Sequence, residues 1–317
     1  MMIDLKQCAQ RLTGSDSVLL LCHAHPDGDT LGSACALSAA LTALDKKVFV
    51  SCGDSIPACF DFMFESLVQT EPDDSALVVA VDVADTVLLG EENRAKYDGR
   101  IDLCIDHHGS NRLFAKEVWL CPGSASTAEM IFRLIGEIGV PLTPSIASAL
   151  FTGVSTDTGC FRFSNTTPDT HRIAASLIEA GADSKNIIQV FFETKSKAYS
   201  AIEKLALDEM RLYLDDRCAV MPVTRAMFDA SGASENDTDR LANLPRQIEG
   251  VLVGVTLREL VNGDFKASVR THGDVDASAI CKRLGGGGHP GAAGCTLKMT
   301  KEQAISALLT EIEAELR

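Results

Sequence analysis

The chain has 317 residues, of which 46% are hydrophobic and 23% charged, and its formal net charge is −15. This length and balance are those of a globular protein with room for two domains, and they exclude a disordered or fibrous chain. The acidic charge argues against long duplex nucleic acid as the main partner, because such binding needs many clustered Lys and Arg side chains. A short or mononucleotide-sized ligand is compatible with it.

Targeting segments and disulfides are not expected. No apolar run reaches the roughly 18 residues that a membrane span needs, and no cationic stretch precedes a long apolar one near the start. The 11 cysteines are odd in number and form no CxxC pair, which is typical of reduced thiols. We therefore expect a cytoplasmic protein without a membrane partner.

The first part of the chain alternates short apolar runs with helical patterns. Buried strands are predicted at 17–23, 46–51, 76–82 and 101–106, with a helix over 30–44 between the first two. This order is typical of an α/β fold with a mostly parallel sheet. Ligands of such sheets collect at the carboxyl ends of the strands. The chain has four acidic motifs, and those at 23–29, 82 and 106–108 fall where a predicted strand ends, while the fourth is at 157.

The second part of the chain changes character. Helical patterns run from residue 124 to about 210, and strands are then predicted at 218–224, 250–260 and 265–271. A Gly-rich turn and a helix from Lys301 onward follow. This order predicts a smaller α+β domain after the parallel-sheet domain.

Four acidic motifs carry most of the chemistry. Their candidate ligands are His23, Asp27, Asp29, Asp82, His107 and Asp157. Carboxylate and imidazole groups are ligands that divalent metals prefer. Asp82 ends an apolar run, where an unpaired carboxylate would be costly unless it meets a metal, hydrogen-bond donors or a cation. Five of the seven histidines lie in these motifs or in the Gly-rich segment near the C-terminus (His23, His25, His107, His108 and His289), a concentration that packing does not explain. The pattern indicates a two-metal site.

Each motif also has a simpler interpretation. Asp27 or Asp29 could merely cap the following helix, and Gly28 would permit a bend between them. Asp85 is better explained as a cap or as an acceptor outside the metal ligands. For Asp27 and Asp29, the nearby His23 favours metal binding. An Asp-His-His triplet alone would be a weak signal, and the concentration of histidines in the motifs strengthens it.

A second candidate site lies near the C-terminus. Gly285–Gly288 remove every side chain ahead of His289, which lets backbone N–H groups approach a phosphate while His289 adds a donor. Arg270 ends a predicted strand of the same domain and could contact a phosphate or a base. We expect Arg270, Gly287, Gly288 and His289 to bind substrate. Arg258 is an alternative phosphate or base contact, but we expect it to be a solvated strand residue.

These motifs, in this order and spacing, resemble those of the DHH phosphoesterase superfamily. The matching segments are HAHPDGDTLGS, VVAVD, DHHGSN and STDTGCFRFSNTTPDTH, and GGGGHPGAAG resembles the signature of the DHH-associated (DHHA1) domain. The similarity is strongest to the bacterial nano-RNase and pAp phosphatase branch. It implies an active site in the cleft between two domains. The implied ranges are a catalytic DHH domain over 1–190, a helical linker over 191–215 and a substrate-binding domain over 216–317.

The resemblance also implies how the ligands divide. One metal would be held by His23, Asp27 and a bridging Asp82. The other would be held by Asp29, Asp82, His107 and Asp157. Two Mn²⁺ ions fit this oxygen and imidazole set, and Mg²⁺ or Co²⁺ remain alternatives.

The implied reaction is metal-assisted phosphoester hydrolysis. A water shared by the two metals would lose a proton and attack phosphorus in line with the departing oxygen. His108 would stabilise the developing charge or protonate the leaving group, and Asp106 would orient a neighbouring imidazole.

The implied substrates are very short oligonucleotides, cleaved to mononucleotides, and 3'-phosphoadenosine 5'-phosphate (pAp), cleaved to AMP. The nearest alternative is a phosphodiesterase for linear pApA or cyclic di-AMP. A pyrophosphatase of the superfamily would carry a Lys- and Arg-based clamp, and a RecJ-like exonuclease would need a longer chain and a basic track. A nucleotide sensor without turnover is disfavoured because every implied ligand and His108 are present. A homodimer is implied by the resemblance alone.

Overall fold

The computed structural model of the protein describes residues 1–63 and 75–316. The chain forms two compact units, Met1–Thr194 and Lys195–Arg317. Each unit has its own sheet and its own hydrophobic core. Among the described residues, no helix is both long enough and apolar enough to cross a membrane.

The first unit contains a five-stranded, fully parallel sheet in the order β2-β1-β3-β4-β5. Its strands are β1 (Ser17–Cys22), β2 (Lys47–Cys52), β3 (Leu77–Val81), β4 (Leu103–Asp106) and β5 (Glu117–Leu120). The predicted parallel α/β sheet is confirmed. The strand β5 was not predicted from the sequence, because EVWL has only three consecutive apolar residues and no alternating pattern.

Both faces of this sheet are covered. The helices of the unit are α1 (Leu5–Thr13), α2 (Gly28–Thr42), α3 (Glu91–Tyr97), α4 (Thr127–Glu137), α5 (Pro144–Asp157), α6 (Pro168–Glu179) and α7 (Ser184–Ile188). Leu20 and Val79 belong to a core shared with α2, α4 and α5. Leu19 and Val78 face the opposite side, where Tyr97 of α3 packs. The strands are therefore apolar on both faces, as parallel strands usually are.

Glycines bring α2 and α5 unusually close together. A Cβ on Gly32 would lie 2.3 Å from the Ala149 backbone oxygen, and a Cβ on Gly28 would lie 2.3 Å from Thr156 Oγ1. Gly28 begins α2 and is required for this approach to Thr156, rather than for the bend predicted from the sequence. The close packing sets the start of α2 beside the end of α5.

We expect Gly32→Ala to lower the free energy of unfolding by about 1–3 kcal/mol, because the added methyl meets backbone that cannot rotate away. Gly136→Ala is the matched control, since Gly136 lies in α4 and a methyl group added there would meet no described atom within 4 Å. Alanine there should be neutral or stabilising by up to about 1 kcal/mol. Urea unfolding of both variants tests this. Equal stabilities would contradict the close-packing explanation.

The second unit contains a six-stranded mixed sheet in the order β10-β11-β9-β8-β7-β6. Its strands are β6 (Arg211–Tyr213), β7 (Cys218–Val223), β8 (Val253–Glu259), β9 (Phe265–Thr271), β10 (Gly287–His289) and β11 (Ala292–Leu297). Its helices are α8 (Lys197–Glu209), α9 (Arg225–Ser231), α10 (Ala277–Arg283) and α11 (Lys301–Glu315). Of the strand pairs in this sheet of described residues, β7–β8 is parallel and the others are antiparallel.

The helices of the second unit lie on the two faces of its sheet. Residues of α10 and α11 share a core with β8 and β9. On the other face, Tyr199 and Ile202 of α8 pack with Met221 of β7 and Phe228 of α9. The helix α8 is thus part of the second unit, while the three domain ranges expected from the sequence stay a prediction.

The Gly-rich segment differs from its prediction as a turn. Gly287–His289 form the edge strand β10, paired antiparallel with β11. A Cβ on Gly286 would lie 2.2 Å from the Gly294 oxygen, and one on Gly288 would lie 2.6 Å from the Ala293 Cα. The glycines therefore let this segment pack tightly on β11.

Candidate active site

The ends of three strands and two helices of the first unit bring the six predicted ligands together. Their ligand atoms form groups within 4.8 Å of one another, namely His23 with Asp27 and Asp82, Asp29 with His107 and Asp157, and Asp82 with His107 and His108. The motifs are far apart in sequence, so the parallel sheet is what makes them converge. Within the described part of the chain, Asp106 belongs to none of these groups.

His23 follows β1 and faces two carboxylates. Its Nε2 lies 3.6 Å from Asp27 Oδ1 and 3.8 Å from Asp82 Oδ2, which is too long for hydrogen bonds. Its Nδ1 lies 2.9 Å from the Ala24 carbonyl oxygen, which can only accept, so Nδ1 carries the hydrogen. In the neutral ring, the Nε2 lone pair is then directed toward the carboxylates. This is the tautomer that a metal-binding imidazole requires.

Asp27 caps a helix, as one interpretation of the sequence pattern expected, and its carboxylate also lies among the candidate ligands. It is the N-cap of α2, and its Oδ1 accepts hydrogen bonds from the Asp29 and Thr30 backbone N–H groups at 3.0 and 3.1 Å. Its carboxylate also belongs to the His23 group. Capping fixes the carboxylate in place and does not exclude metal binding.

Asp29 is 1% exposed and is fixed by another helix. The N–H groups of Thr127 and Ala128, at the start of α4, donate to its two carboxylate oxygens at 2.7 and 2.8 Å. Burial and the nearby Asp157 and Asp27 carboxylates raise the pKa of Asp29 well above its usual range. The positive end of α4 offsets part of this cost.

Asp82 immediately follows β3 and has a left-handed backbone, with φ of 61°. The side chain is 2% exposed, and its Oδ1 accepts a hydrogen bond of 2.8 Å from Thr127 Oγ1. Burial and the carboxylates of Asp29 and Asp27 raise the pKa of Asp82 well above its usual range. A buried carboxylate on a strained backbone is typical of a functional position.

The imidazole of His107 tests whether this cluster fits a metal. Its Nε2 lies 3.6 Å from Asp157 Oδ2, 3.8 Å from Asp82 Oδ1 and 3.9 Å from Asp29 Oδ2. This nitrogen is buried and has no hydrogen-bond partner among the described residues. Its Nδ1 lies 3.2 Å from the Ser124 carbonyl oxygen, which assigns the hydrogen to Nδ1. A buried, unpaired nitrogen among three carboxylates fits a divalent cation.

His108 makes a different set of contacts. Its Nδ1 lies 2.7 Å from Asp106 Oδ1, and Asp106 also accepts a 2.6 Å hydrogen bond from Asn111 Nδ2. The hydrogen bond to Asp106 raises the pKa of His108, although burial opposes it. The His108 side chain is 42% exposed, whereas Asp106 is fully buried. His108 is therefore held by Asp106 and remains accessible to a substrate.

Two residues near this site were not predicted from the sequence. Thr127 contacts both Asp29 and Asp82, and Asn111 fixes Asp106. The Ser-Thr-Ala-Glu sequence before the apolar run of α4 signals a helix start. Nothing in that pattern shows that the helix begins against Asp29.

We expect Thr127→Val to weaken Mn²⁺ binding by roughly 10–100-fold, because it removes the hydroxyl that orients Asp82 but keeps the backbone N–H to Asp29. Thr127→Ser keeps the hydroxyl and should bind nearly as the wild type does. Calorimetric titration of the metal-free variants measures the difference. Wild-type affinity in Thr127→Val would contradict this role.

The pKa shifts predict how metal binding depends on pH. The ordinary value for Asp29 and Asp82 is 3.8, and both are raised well above it in the folded chain. The folded chain thus binds these protons more tightly, so its free energy of unfolding falls as the pH rises from about 4 toward neutrality. Bound metal replaces the protons. The increase in Tm caused by Mn²⁺ should therefore be larger at pH 7.5 than at pH 5.5, and a pH-independent increase would contradict this.

In the second unit, two of the candidate residues, Arg270 and His289, lie on one sheet face. His289 of β10 pairs with Ala292 of β11, and Ala292 pairs with Arg270 of β9. Directly paired residues point to the same face of an antiparallel sheet. Arg258 was expected to be solvated. Its Nη1 instead lies 3.0 Å from Glu235 Oε2, and its side chain is only 17% exposed.

Carboxylates and imidazoles gathered at the strand ends of a parallel α/β sheet form an arrangement that metal-dependent hydrolases use. The chain belongs to the DHH family, with residues 17–154 matching the DHH family N-terminal domain and residues 216–317 matching the DHHA1 domain. It is similar to the bifunctional oligoribonuclease and PAP phosphatase NrnA of Thermus thermophilus, with 33% identity over 94% of this chain and 90% of that protein. The chain is also similar to the protein of the same name from Bacillus subtilis, with 26% identity over 89% of this chain and 90% of that protein.

A solved structure shares the fold. It is described as an exopolyphosphatase-related protein from Bacteroides fragilis and has a TM-score of 0.87 with 24% identity. The similarity covers 98% of this chain and 96% of that one. The predicted two-part fold, an α/β domain followed by a smaller domain with its own sheet, is confirmed.

Proposed function

We propose that the protein is a two-metal phosphoesterase that hydrolyses very short oligonucleotides to mononucleotides and pAp to AMP and phosphate. The observation that carries this proposal is the cluster of three carboxylates, of which Asp29 and Asp82 are buried, around His107 Nε2, which has no hydrogen-bond partner among the described residues. The names of the relatives, oligoribonuclease and PAP phosphatase, supply the substrate class.

The metal ligands in this proposal are His23, Asp27, Asp29, Asp82, His107 and Asp157, with Asp82 shared by the two ions. Mn²⁺ fits this mixture of oxygen and nitrogen donors, and Mg²⁺ or Co²⁺ could replace it. When bound, the two ions would offset phosphate charge and supply an activated water. The chain contributes ligands that are already fixed by capping and by hydrogen bonds from α2 and α4.

His108 is the proposed proton donor to the leaving oxygen. Asp106 holds Nδ1 at 2.7 Å, which leaves Nε2 to face the substrate. The hydrogen bond to Asp106 raises the pKa of His108, which is the direction that a proton donor needs. Asp106 is a positioning residue for His108, and Asn111 keeps its second oxygen occupied.

Arg270, Gly287, Gly288 and His289 are the proposed substrate-binding residues of the second unit. Arg270 and His289 share one sheet face with only the small Ala292 between them. Their two donors could contact one phosphate group. A cytoplasmic location and a homodimer stay predictions.

The test is a panel of substrates incubated with the Mn²⁺-loaded protein. It contains pAp, a 5'-phosphorylated dinucleotide, an RNA of about 24 nucleotides, which far exceeds the span of one binding domain, cyclic di-AMP and pyrophosphate. We expect phosphate from pAp and mononucleotides from the dinucleotide, with slow cleavage of the long RNA. Preferential turnover of cyclic di-AMP or of pyrophosphate would contradict the proposed substrates.

A further inference from the structure

The backbone turns in an unusual way just after the candidate ligand Asp157. Gly159, Cys160 and Phe161 are three consecutive residues with left-handed φ angles of 55°, 57° and 64°. This conformation is unfavourable for residues other than glycine. Strained backbone persists where surrounding contacts hold it, and it is concentrated at binding and catalytic sites.

Hydrogen bonds hold this turn in place. The Cys160 N–H donates to the Ser155 oxygen at 2.7 Å, and Arg162 Nε donates to the Gly159 oxygen at 2.6 Å. Asn165 Nδ2 donates to the backbone carbonyl oxygens of Asp157, at 3.1 Å, and of Ala125, at 2.9 Å. These hydrogen bonds hold the turn in one conformation next to Asp157.

The aromatic ring of Phe163 packs against this turn. A Cβ on Gly159 would lie 2.4, 2.5 and 2.6 Å from Cζ, Cε1 and Cε2 of Phe163. These nearly equal distances mean that Gly159 lies against the face of the ring and not at its tip. Phe163 nevertheless remains 44% exposed. Because two residues span at most about 7 Å of chain, Gly159, on which the ring rests, lies close to Asp157.

We propose that Phe163 is a stacking surface for a nucleobase of the substrate, beside the metal ligands. This inference rests on the proposed function and adds a substrate-binding residue to it. Stacking on an aromatic ring suits every base and requires no cation, which matters in a chain of net charge −15. The strained turn and the Gly159 contact keep the ring oriented before substrate arrives, which reduces the ordering cost of binding.

The test compares Phe163→Leu, which keeps an apolar side chain, with Phe163→Tyr, which keeps the aromatic face. The substrates are a 5'-phosphorylated dinucleotide and its analogue without bases. We expect Phe163→Leu to raise KM for the dinucleotide by about 10–100-fold while kcat changes less than about threefold, and Phe163→Tyr to stay near wild type. The base-free analogue should have the same KM with wild type and Phe163→Leu.

Phe62→Leu is the matched control, because Phe62 is 38% exposed in the same unit and should not affect KM. An unchanged KM in Phe163→Leu, or an equal loss on the base-free analogue, would overturn the stacking role. Loss of Mn²⁺ binding in Phe163→Leu would also overturn it, since the ring would then support the metal cluster. Failure of the wild type to cleave the dinucleotide would overturn the proposed function itself and this inference with it.

Discussion

Asp82→Asn should prevent the binding of at least one metal ion and lower kcat/KM for a 5'-phosphorylated dinucleotide by roughly 10³-fold or more. The reason is that Asp82 is assigned to both ions, and metal stabilisation of charge is worth several kcal/mol, at about 1.36 kcal/mol for each tenfold in rate. Asparagine tolerates the left-handed backbone at this position, so the substitution changes charge without adding strain. Steady-state kinetics and metal counting by calorimetry measure both effects.

Asp85→Asn is the control for this prediction. Asp85 lies three residues further on, is half-exposed and caps the turn at Val87 through a 3.1 Å hydrogen bond. Asparagine also caps helices and turns well, so activity should stay within about twofold. If Asp82→Asn kept full activity with two bound ions, the bridging assignment would be wrong.

His108→Ala should lower kcat by about 10²–10⁴-fold while leaving two ions bound. The basis is that His108 is oriented by Asp106 and is accessible, whereas the His107 side chain is only 13% exposed and faces the carboxylates. The His108 Nδ1 also lies 3.6 Å from Asp82 Oδ1, so a role as a ligand is the competing assignment. Calorimetric metal counting separates the two, because a proton donor changes the rate and a ligand changes the stoichiometry.

His25→Asn is the matched control for His108. His25 belongs to the same motif as His23, is almost fully exposed and lies 3.0 Å from Asp54. Asparagine again tolerates its positive φ of 54°. This variant should keep both metal binding and rate, and loss of a metal ion in His108→Ala would reassign His108 as a ligand.

Much of the candidate site could be predicted from the sequence because the α/β fold makes strand ends converge. Once Cys22, Val81 and Asp106 are recognised as strand ends, the residues that follow them must lie at one edge of the sheet. Asp157 required more, since it ends a helix rather than a strand. The sequence marked it as an acidic motif, GVSTDTG, and the resemblance to a family implied that it shares a metal with Asp29, Asp82 and His107.

The remaining features depend on contacts between distant segments. Thr127 touches Asp29 and Asp82 across 98 and 45 residues, and no local pattern records this. The sequence suggested that Gly28 permits a bend between Asp27 and Asp29. In the structure, Gly28 instead allows close packing against Thr156 of another helix. The left-handed turn at Cys160 and Phe161 has no sequence signal either, because neither residue type favours that backbone.

The most direct test of a two-metal mechanism is titration of the metal-free protein with Mn²⁺ while dinucleotide cleavage is measured at each ratio. We expect two ions bound per chain, no turnover without metal, and maximal release of mononucleotides only when the second ion is bound. Full activity with one ion per chain, or cleavage that persists in the metal-free protein, would contradict a two-metal phosphoesterase.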